Sequence, residues 1–400
     1  MIKRIGMLTS GGDCQALNAT MRGVVKGLSN NLDELEVYGF DDGYKGLIYG
    51  KYRMLTSKDF SGILTQGGTI LGTSRQPFKL MRVPDENGLD KVEAMKQTYY
   101  KLCLDCLVIL GGNGTQKTAN LLREEGLNII HLPKTIDNDL AVTDHTPGYG
   151  SAAKYIASTM KEIIRDALVQ PIKIVNIIEI MGRNAGWLTA AAALAKGDDC
   201  EGADLIYLPE TVFDINKFVA KVQEIQKTKK QIVVAVSEGV KTADGKYVCE
   251  SASSNMLVDS FGHKQLSGTA TALANVISNE IGCKTRAIEF STIQRCASHI
   301  ASLTDVNEAF IVGGIAVKAA FDGETGKVGI FQRLSNKPYL MGTSIYDVNA
   351  IANVEKTVPQ EWIINDGTGV SQEALDYMRP LIQGEIYPYM VDGLPRHIKL

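Results

Sequence analysis

A chain of 400 residues, 44% hydrophobic and 22% charged, can build a sizeable core, and its composition is not that of a disordered protein. At about 150 residues per domain, the length suggests two or three domains. The 42 basic and 45 acidic residues leave a net charge of −3, so no basic excess points to a nucleic-acid partner. No apolar run reaches the ~18 residues that suggest a membrane span. Met1-Ile2-Lys3-Arg4-Ile5-Gly6 runs straight into a strand-like segment without an apolar signal region, so the expected location is the cytoplasm. The 39 glycines exceed the usual share of about 7%, and their placement becomes informative below.

In chain order, Ile2 to Leu8 reads as a strand that ends in Thr9-Ser10-Gly11-Gly12-Asp13, followed by helical spacing from Ala16 to Leu28 and a strand from Leu35 to Phe40. Leu104 to Leu110 is an apolar run broken by Asp105 and ending at Gly111-Gly112-Asn113-Gly114, with a helix from Thr115 to Glu125 and a strand from Leu127 to Leu132 after it. The rhythm restarts beyond Pro147-Gly148. Ser151 to Val169 has helical spacing, Ile172 to Ile180 is strand-like, and Ala185 to Ala195 reads as an alanine-rich helix. Leu205 to Leu208, Ile215 to Lys227, Gln231 to Val236 and Ser267 to Ile281 continue the alternation of strand and helix. This pattern predicts an α/β fold with two parallel-sheet, Rossmann-like blocks. The last ~60 residues set Trp362, Tyr377, Tyr387 and Tyr389 among Pro and Gly, and are read as an extension wrapped on the body. No repeat of 20–50 residues is present.

Several glycines fall just after strand-like runs, where open α/β sheets bind ligands and where backbone N–H groups and helix N-termini receive anions. Gly11-Gly12 and Gly111 to Gly114 together point to a phosphate site. A P-loop is absent, because Gly326-Lys327 is followed by Val328. Gly148-Tyr149-Gly150-Ser151-Ala152-Ala153 spells G-x-G-x-x-A but follows no strand, so a dinucleotide role has little support. The odd count of seven cysteines suggests reduced thiols, and Cys103-Leu-Asp-Cys106 lacks a second pair at zinc-site spacing.

Pro133-Lys134-Thr135-Ile136-Asp137-Asn138-Asp139 carries more information. Asp137 and Asp139, spaced i, i+2 at a strand's carboxyl end, would point the same way in extended chain. One could take a proton and the other hold a metal, the two tasks of phosphoryl transfer. The bland alternative is an Asx-turn with solvated carboxylates. Arg75, Arg183, Arg286 and Arg295 lie at strand or turn ends and suit bidentate phosphate recognition, although most arginines only form surface salt bridges. Glu238 ends a strand before Gly239, which suits a sugar hydroxyl or, equally, a helix N-terminus.

These segments together resemble the phosphofructokinase family: Leu8 to Asp13, Gly67-Gly68-Thr69 through Arg75, Gly111 to Thr115, Thr135 to Asp139, Met181-Gly182-Arg183, Glu238-Gly239 and Ile293-Gln294-Arg295, in the family's order over residues 1–320. The resemblance implies a donor domain of residues 1–147 plus about 294–345, a fructose 6-phosphate domain of 148–293 and an extension of 346–400. It implies phosphoryl transfer to the 1-hydroxyl of fructose 6-phosphate with Mg²⁺. By position, Asp137 is the base, Thr135 binds the transferring phosphoryl and Arg183 stabilises the transition state. Gly11, Gly12, Tyr44, Arg75, Gly111, Gly112, Asn113, Gly114, Thr115 and Lys134 are expected on the donor side. Met181, Gly182, Glu238, Arg286, Thr292, Gln294 and Arg295 are expected on the sugar phosphate, and Asn113 and Asp139 at the metal. Family arginines that cross between subunits imply a homo-oligomer, dimer or tetramer.

Gly114 resembles ATP users, since an Asp there would crowd the α-phosphate of a nucleotide, whereas Lys134 resembles pyrophosphate users. The mixed-substrate branch combines the two, and ATP is the favoured donor with pyrophosphate the alternative. Departures from the family pattern are Asn113 for a metal-linked Asp, Gln15-Ala16 for Pro-Gly, Thr292 for His, and Lys173 or Ile174 for an Arg. These also admit a catalytically weak sugar-phosphate sensor.

Overall fold

The computed structural model describes residues 3–12, 14–74, 76–251, 266–351 and 354–397. Arg75 and Asp13 of the sequence reading lie outside the described residues. The first half is organised by β1 (Lys3–Thr9), α1 (Leu17–Asn31), β2 (Leu35–Phe40), α2 (Tyr44–Tyr49), β3 (Tyr52–Leu55), α3 (Lys91–Lys101), β4 (Cys106–Gly111), α4 (Asn113–Glu124) and β5 (Ile129–Pro133). The second begins with α5 (Tyr149–Leu168), β6 (Ile174–Ile180), α6 (Trp187–Ala190), β7 (Leu205–Tyr207), α7 (Ile215–Ile225), β8 (Gln231–Ser237), α8 (Thr269–Ile281), β9 (Lys284–Glu289) and α9 (Ile293–Cys296). The chain then returns through α10 (Leu303–Phe321), β10 (Lys327–Asn336) and β11 (Tyr339–Asp347).

The result is an α/β fold with two parallel-sheet units. One sheet has seven strands in the order β11-β10-β5-β4-β1-β2-β3, parallel except for the β2–β3 and β10–β11 pairs. The other has four parallel strands, β7-β8-β6-β9. Every residue of β4, β5 and β6 is buried, as expected for parallel strands covered on both faces, which is why these segments read as apolar runs interrupted only by His131, Asn176 and Glu179. Register aligns the carboxyl ends: Thr9 pairs with Leu110, and Gly111 with Pro133. Because β2 and β4 flank β1 on opposite sides, the crevice beyond β1 and β4 is a topological switch point.

Small residues let helices and turns approach the sheets. Ala185 to Ala195 is not one helix. It is the short α6 followed by a 3₁₀ turn over Ala191–Ala195, with its alanines packed against α5. Gly148, at φ 101°, caps α5, and the α5 N-terminus is already taken by a carboxylate of the protein. Asp305 accepts from Gly148 N at 2.8 Å and from Ser151 N at 3.1 Å. Asp305 thus occupies the place at the G-x-G-x-x-A text that a ligand phosphate would need. Asp90, Asp214 and Ser302 cap α3, α7 and α10 in the usual side-chain-to-backbone way.

The extension is anchored by Trp362 and Tyr377, whose rings pack against Trp187 and each other at centroid separations of 5.2–6.0 Å. Tyr387 and Tyr389 are instead 64% and 68% exposed, so they do not share in that anchoring. Among the described residues no helix is long and apolar enough to cross a membrane.

Helices α1 and α10 cross closely, so that a Cβ on Gly23 would run into the backbone of Phe310. Overpacking of this kind costs about 1–3 kcal/mol. Gly23→Ala is therefore expected to lower the urea midpoint with an unchanged m-value, whereas Gly62→Ala, which meets no neighbouring atom within 4 Å but requires φ 81°, reports the backbone cost alone.

Candidate active site

The donor side of the crevice is built from two turns. After β1, Gly11 adopts φ 86°, a left-handed conformation that glycine takes without strain. Its carbonyl accepts from Thr73 Oγ1 at 2.7 Å. After β4, Gly112 caps α4 without a side-chain bond, leaving the first N–H groups of that helix for a ligand. Gly111 is glycine for a packing reason, because a Cβ there would overlap the Thr115 side chain. Gly114 has no such reason. Its φ is not positive and an added Cβ would meet nothing within 4 Å.

Lys134 follows β5 and is 3% exposed, with its ammonium donating to Gly12 O. It lies 3.6 Å from where a Gly11 Cβ would be, so it brings a positive charge under the first glycine turn. Tyr44 differs from the expectation. It is 1% exposed, and its hydroxyl donates to Thr115 O at 2.8 Å. It holds the start of α4 from beneath and presents no surface to a donor.

The Thr135 to Asp139 segment is compact and not extended. Thr135 Oγ1 accepts from Asp137 N at 3.1 Å, and Asn138 sits at φ 54° with no exposed surface. The left-handed Asn138 removes the basis for the same-face argument, yet the two carboxylates remain electrostatically close. They are also not the solvated pair of an open Asx-turn. Burial raises Asp137 above the ordinary carboxylate range, opposed by the Thr135 hydrogen bond and by the charges of Lys134, Arg183 and Arg295. Burial, with Asp137 beside it, pushes Asp139 up to about 7.

Across the crevice, a cavity of about 450 Å³ opens at the carboxyl ends of β6, β8 and β9. Its walls include Met181, Arg183, Glu238, Thr292 and Arg295. Gly182, at φ 134°, donates its N–H to Glu238 Oε1 at 3.5 Å, and its carbonyl accepts from Ser237 Oγ at 2.5 Å. Burial pushes Glu238 up to about 8, with Asp137 and Glu179 adding like charge. The helix-terminus role left open for Glu238 belongs to Glu179, which accepts from Ala270 N at 2.9 Å at the start of α8. Burial pushes Glu179 up to about 7. Arg295 links the two sides: its guanidinium lies 3.6 Å from a Cβ placed on Gly12, and it acts on Asp137.

Two expected ligand residues stand elsewhere. Gln294 is 1% exposed and both ends of its amide are used, accepting from Met181 N at 3.3 Å and donating to Ser291 O at 2.9 Å. It supports the cavity wall and does not line it. Arg286, on β9, pairs with Asp166 at 2.7 Å and is not among the cavity residues of its own chain. For a metal, the observation that matters is a pair of orphaned oxygens. Asn113 Oδ1 and Asp139 Oδ1 are buried and accept no hydrogen bond from the described residues. Among the described residues no cluster of three or more His, Cys, Asp or Glu can hold a metal. A hard cation with few protein ligands, the rest being water and phosphate oxygens, fits such a donor set.

Comparison with known proteins fits this geometry. The family model described as Phosphofructokinase matches residues 4–291. The chain belongs to the phosphofructokinase family. It is therefore a phosphotransferase that uses an alcohol as acceptor. The chain is 33% identical to a pyrophosphate–fructose 6-phosphate 1-phosphotransferase from Halomonas elongata, over 98% of this chain and 94% of the relative. It is 36% identical to an ATP-dependent 6-phosphofructokinase 2 from Streptomyces coelicolor, over 90% and 97%. The crystal structure of a pyrophosphate-dependent phosphofructokinase from Marinobacter aquaeolei superposes with a TM-score of 0.85 at 30% identity, covering 99% of this chain and 95% of that one. Relatives using either donor thus match along nearly the whole chain.

Glu238 supplies a pH test. The folded protein retains its proton up to about pH 8, whereas the unfolded chain releases it near the ordinary value of 4.5. Stability therefore falls as pH rises through this window. Glu238→Gln removes that titration, so its melting temperature should match wild type near pH 4 and exceed it increasingly up to pH 9. Parallel curves for the two proteins would assign the loss to other groups.

Proposed function

We propose that the protein is an ATP-dependent 6-phosphofructokinase, converting fructose 6-phosphate to fructose 1,6-bisphosphate in glycolysis. The observation that carries the donor choice is Gly114. Its backbone does not need glycine, and open space surrounds the position where a side chain would start. The missing side chain is best explained by a ligand that occupies the space, and a nucleotide's α-phosphate is the group that would be obstructed and repelled there.

On this reading, the free N–H groups at the start of α4 and the Gly11–Gly12 turn hold the donor phosphates. The sugar phosphate lies in the cavity lined by Met181, Arg183, Glu238, Thr292 and Arg295. Asp137 accepts the proton of the attacking hydroxyl. Its buried setting makes it a stronger base than an exposed Asp, while Lys134, Arg183 and Arg295 favour its ionised form. Thr135 orients it through hydrogen bonds to its backbone and side chain. Arg183 neutralises charge spreading over the transferred phosphoryl oxygens. Asn113 and Asp139 are the residues that would hold Mg²⁺, which when bound supplies further charge neutralisation at those oxygens. Arg286, apart from its own chain's cavity, is assigned to a neighbouring subunit of a homo-oligomer.

A second reading, with pyrophosphate as donor, is favoured by Lys134. Its buried ammonium under Gly12 would neutralise a small, highly charged donor. The deciding measurement is a coupled assay with each donor in turn, in which ATP is expected to support turnover. Activity with pyrophosphate alone would reverse the assignment. In the same assay, Gly114→Asp should cut kcat/KM for ATP by about tenfold or more, because unit charges 4 Å apart repel by about 1 kcal/mol in water and about 4 kcal/mol near a protein surface. An unchanged value would remove the steric argument. Asp137→Ser should lower kcat by about 10²–10⁴-fold with donor binding preserved. Full turnover in that variant would exclude Asp137 as the base.

A further inference from the structure

The Asp137–Asp139 turn depends on contacts that no local motif describes. Asn138, between the two carboxylates, is fully buried and left-handed, and both ends of its amide are used by the C-terminal segment. Its Nδ2 donates to Tyr377 Oη at 2.9 Å, and its Oδ1 accepts from Lys356 Nζ at 3.3 Å. The same two side chains converge again a few residues on. Tyr377 Oη donates to Asp144 O at 2.5 Å, and Lys356 Nζ donates to Asp144 O at 2.6 Å and to Thr143 O at 3.3 Å. The Lys356 backbone N–H donates to Asp139 O at 2.8 Å, beside an antiparallel bridge between Leu140 and Glu355.

This strand-like strap also grips the opposite wall. The Trp187 indole donates to Lys356 O at 2.9 Å, and Val358 N donates to Glu210 Oε1, which also accepts from Gly186 N at 2.8 Å. Gly186 and Trp187 close the loop that begins with Met181-Gly182-Arg183. One short stretch of chain is thus hydrogen-bonded to the turn carrying Asp137 and to the loop carrying Arg183.

We infer that Lys356 and Tyr377 are positioning residues for phosphoryl transfer, fixing the Asp137–Asp139 turn and registering it against the Arg183 loop. The inference rests on the reading of Asp137 as the proton acceptor. It gives the C-terminal segment a part in the chemistry that an outer wrapping would not have. A misplacement of about 1 Å can cost on the order of 10²-fold in rate even when the altered residue is remote from the reacting atoms. Neither side chain is placed to touch the sugar phosphate, so the expected signature is a loss in kcat without a loss in substrate affinity.

The test uses Tyr377→Phe, which removes only the hydroxyl and keeps the ring against Trp187 and Trp362, and Lys356→Met, which keeps the stem and removes the ammonium. Steady-state kinetics, fructose 6-phosphate binding by calorimetry and melting temperature are measured on full-length wild type, both variants and Asp137→Ser. Each positioning variant should lose about tenfold or more in kcat, with KM and Kd for fructose 6-phosphate within about twofold of wild type. Wild-type kcat in both variants overturns the inference. So does a loss of kcat, binding and melting temperature together, which would mark a general brace. The Asp137→Ser arm separates the two claims. If it is inactive while both positioning variants are unaltered, only the present inference fails; if it turns over at the wild-type rate, the parent reading fails.

Discussion

The structure is arranged around one electrostatic problem, the gathering of carboxylates in a cleft that excludes much of the water. Asp137, Asp139, Glu179 and Glu238 all lie at strand ends facing the crevice, and burial raises each of them above its ordinary range. Like charges at close range destabilise one another. The fold answers with cations delivered from different elements: Lys134 after β5, Arg183 after β6 and Arg295 in α9. None of the three is a sequence neighbour of the others, so the balance exists only when both sheets are formed and face each other.

The glycines divide by physical cause. Gly11 and Gly182 serve backbone conformation, Gly23 and Gly111 serve close approach, and Gly114 serves neither. Only the last kind says anything about a ligand, because the fold alone would tolerate a side chain there. The compositional surplus is therefore in large part an architectural signal.

Much of the fold was legible because parallel strands buried on both faces leave largely apolar runs, as in β4 and β8. The turns that follow them build the candidate site, so Gly11, Asp137, Arg183 and Glu238 could be named from their position after a strand. Side-chain direction was not legible. Tyr44 and Gln294 belong to the right segments but spend their polar atoms on the protein's own backbone. The same-face inference for Asp137 and Asp139 assumed extended chain, and a single left-handed residue, Asn138, invalidated it. The alanine-rich stretch after Arg183 matched a helical period but winds tighter where small side chains let the backbone press on α5.

Lys356 and Tyr377 escaped for a different reason. Their partners at Asn138 lie 218 and 239 residues away in the chain, and neither residue sits in a recognisable motif. The only local hint was a lysine and aromatic residues in a Pro- and Gly-containing tail, which composition alone cannot tell from surface packing. A short-range pattern reveals which atoms perform the chemistry, since those atoms must share one turn. It does not reveal which atoms hold that turn still, since any part of the chain that returns to the cleft can do so. In this protein the return is made by a segment outside both sheets, hydrogen-bonded to each wall of the cleft. On the proposed reading of Asp137 as the base, rigidity of its turn is a property of the whole chain's topology, and the buried amide of Asn138 is the point at which that topology would act on the chemistry.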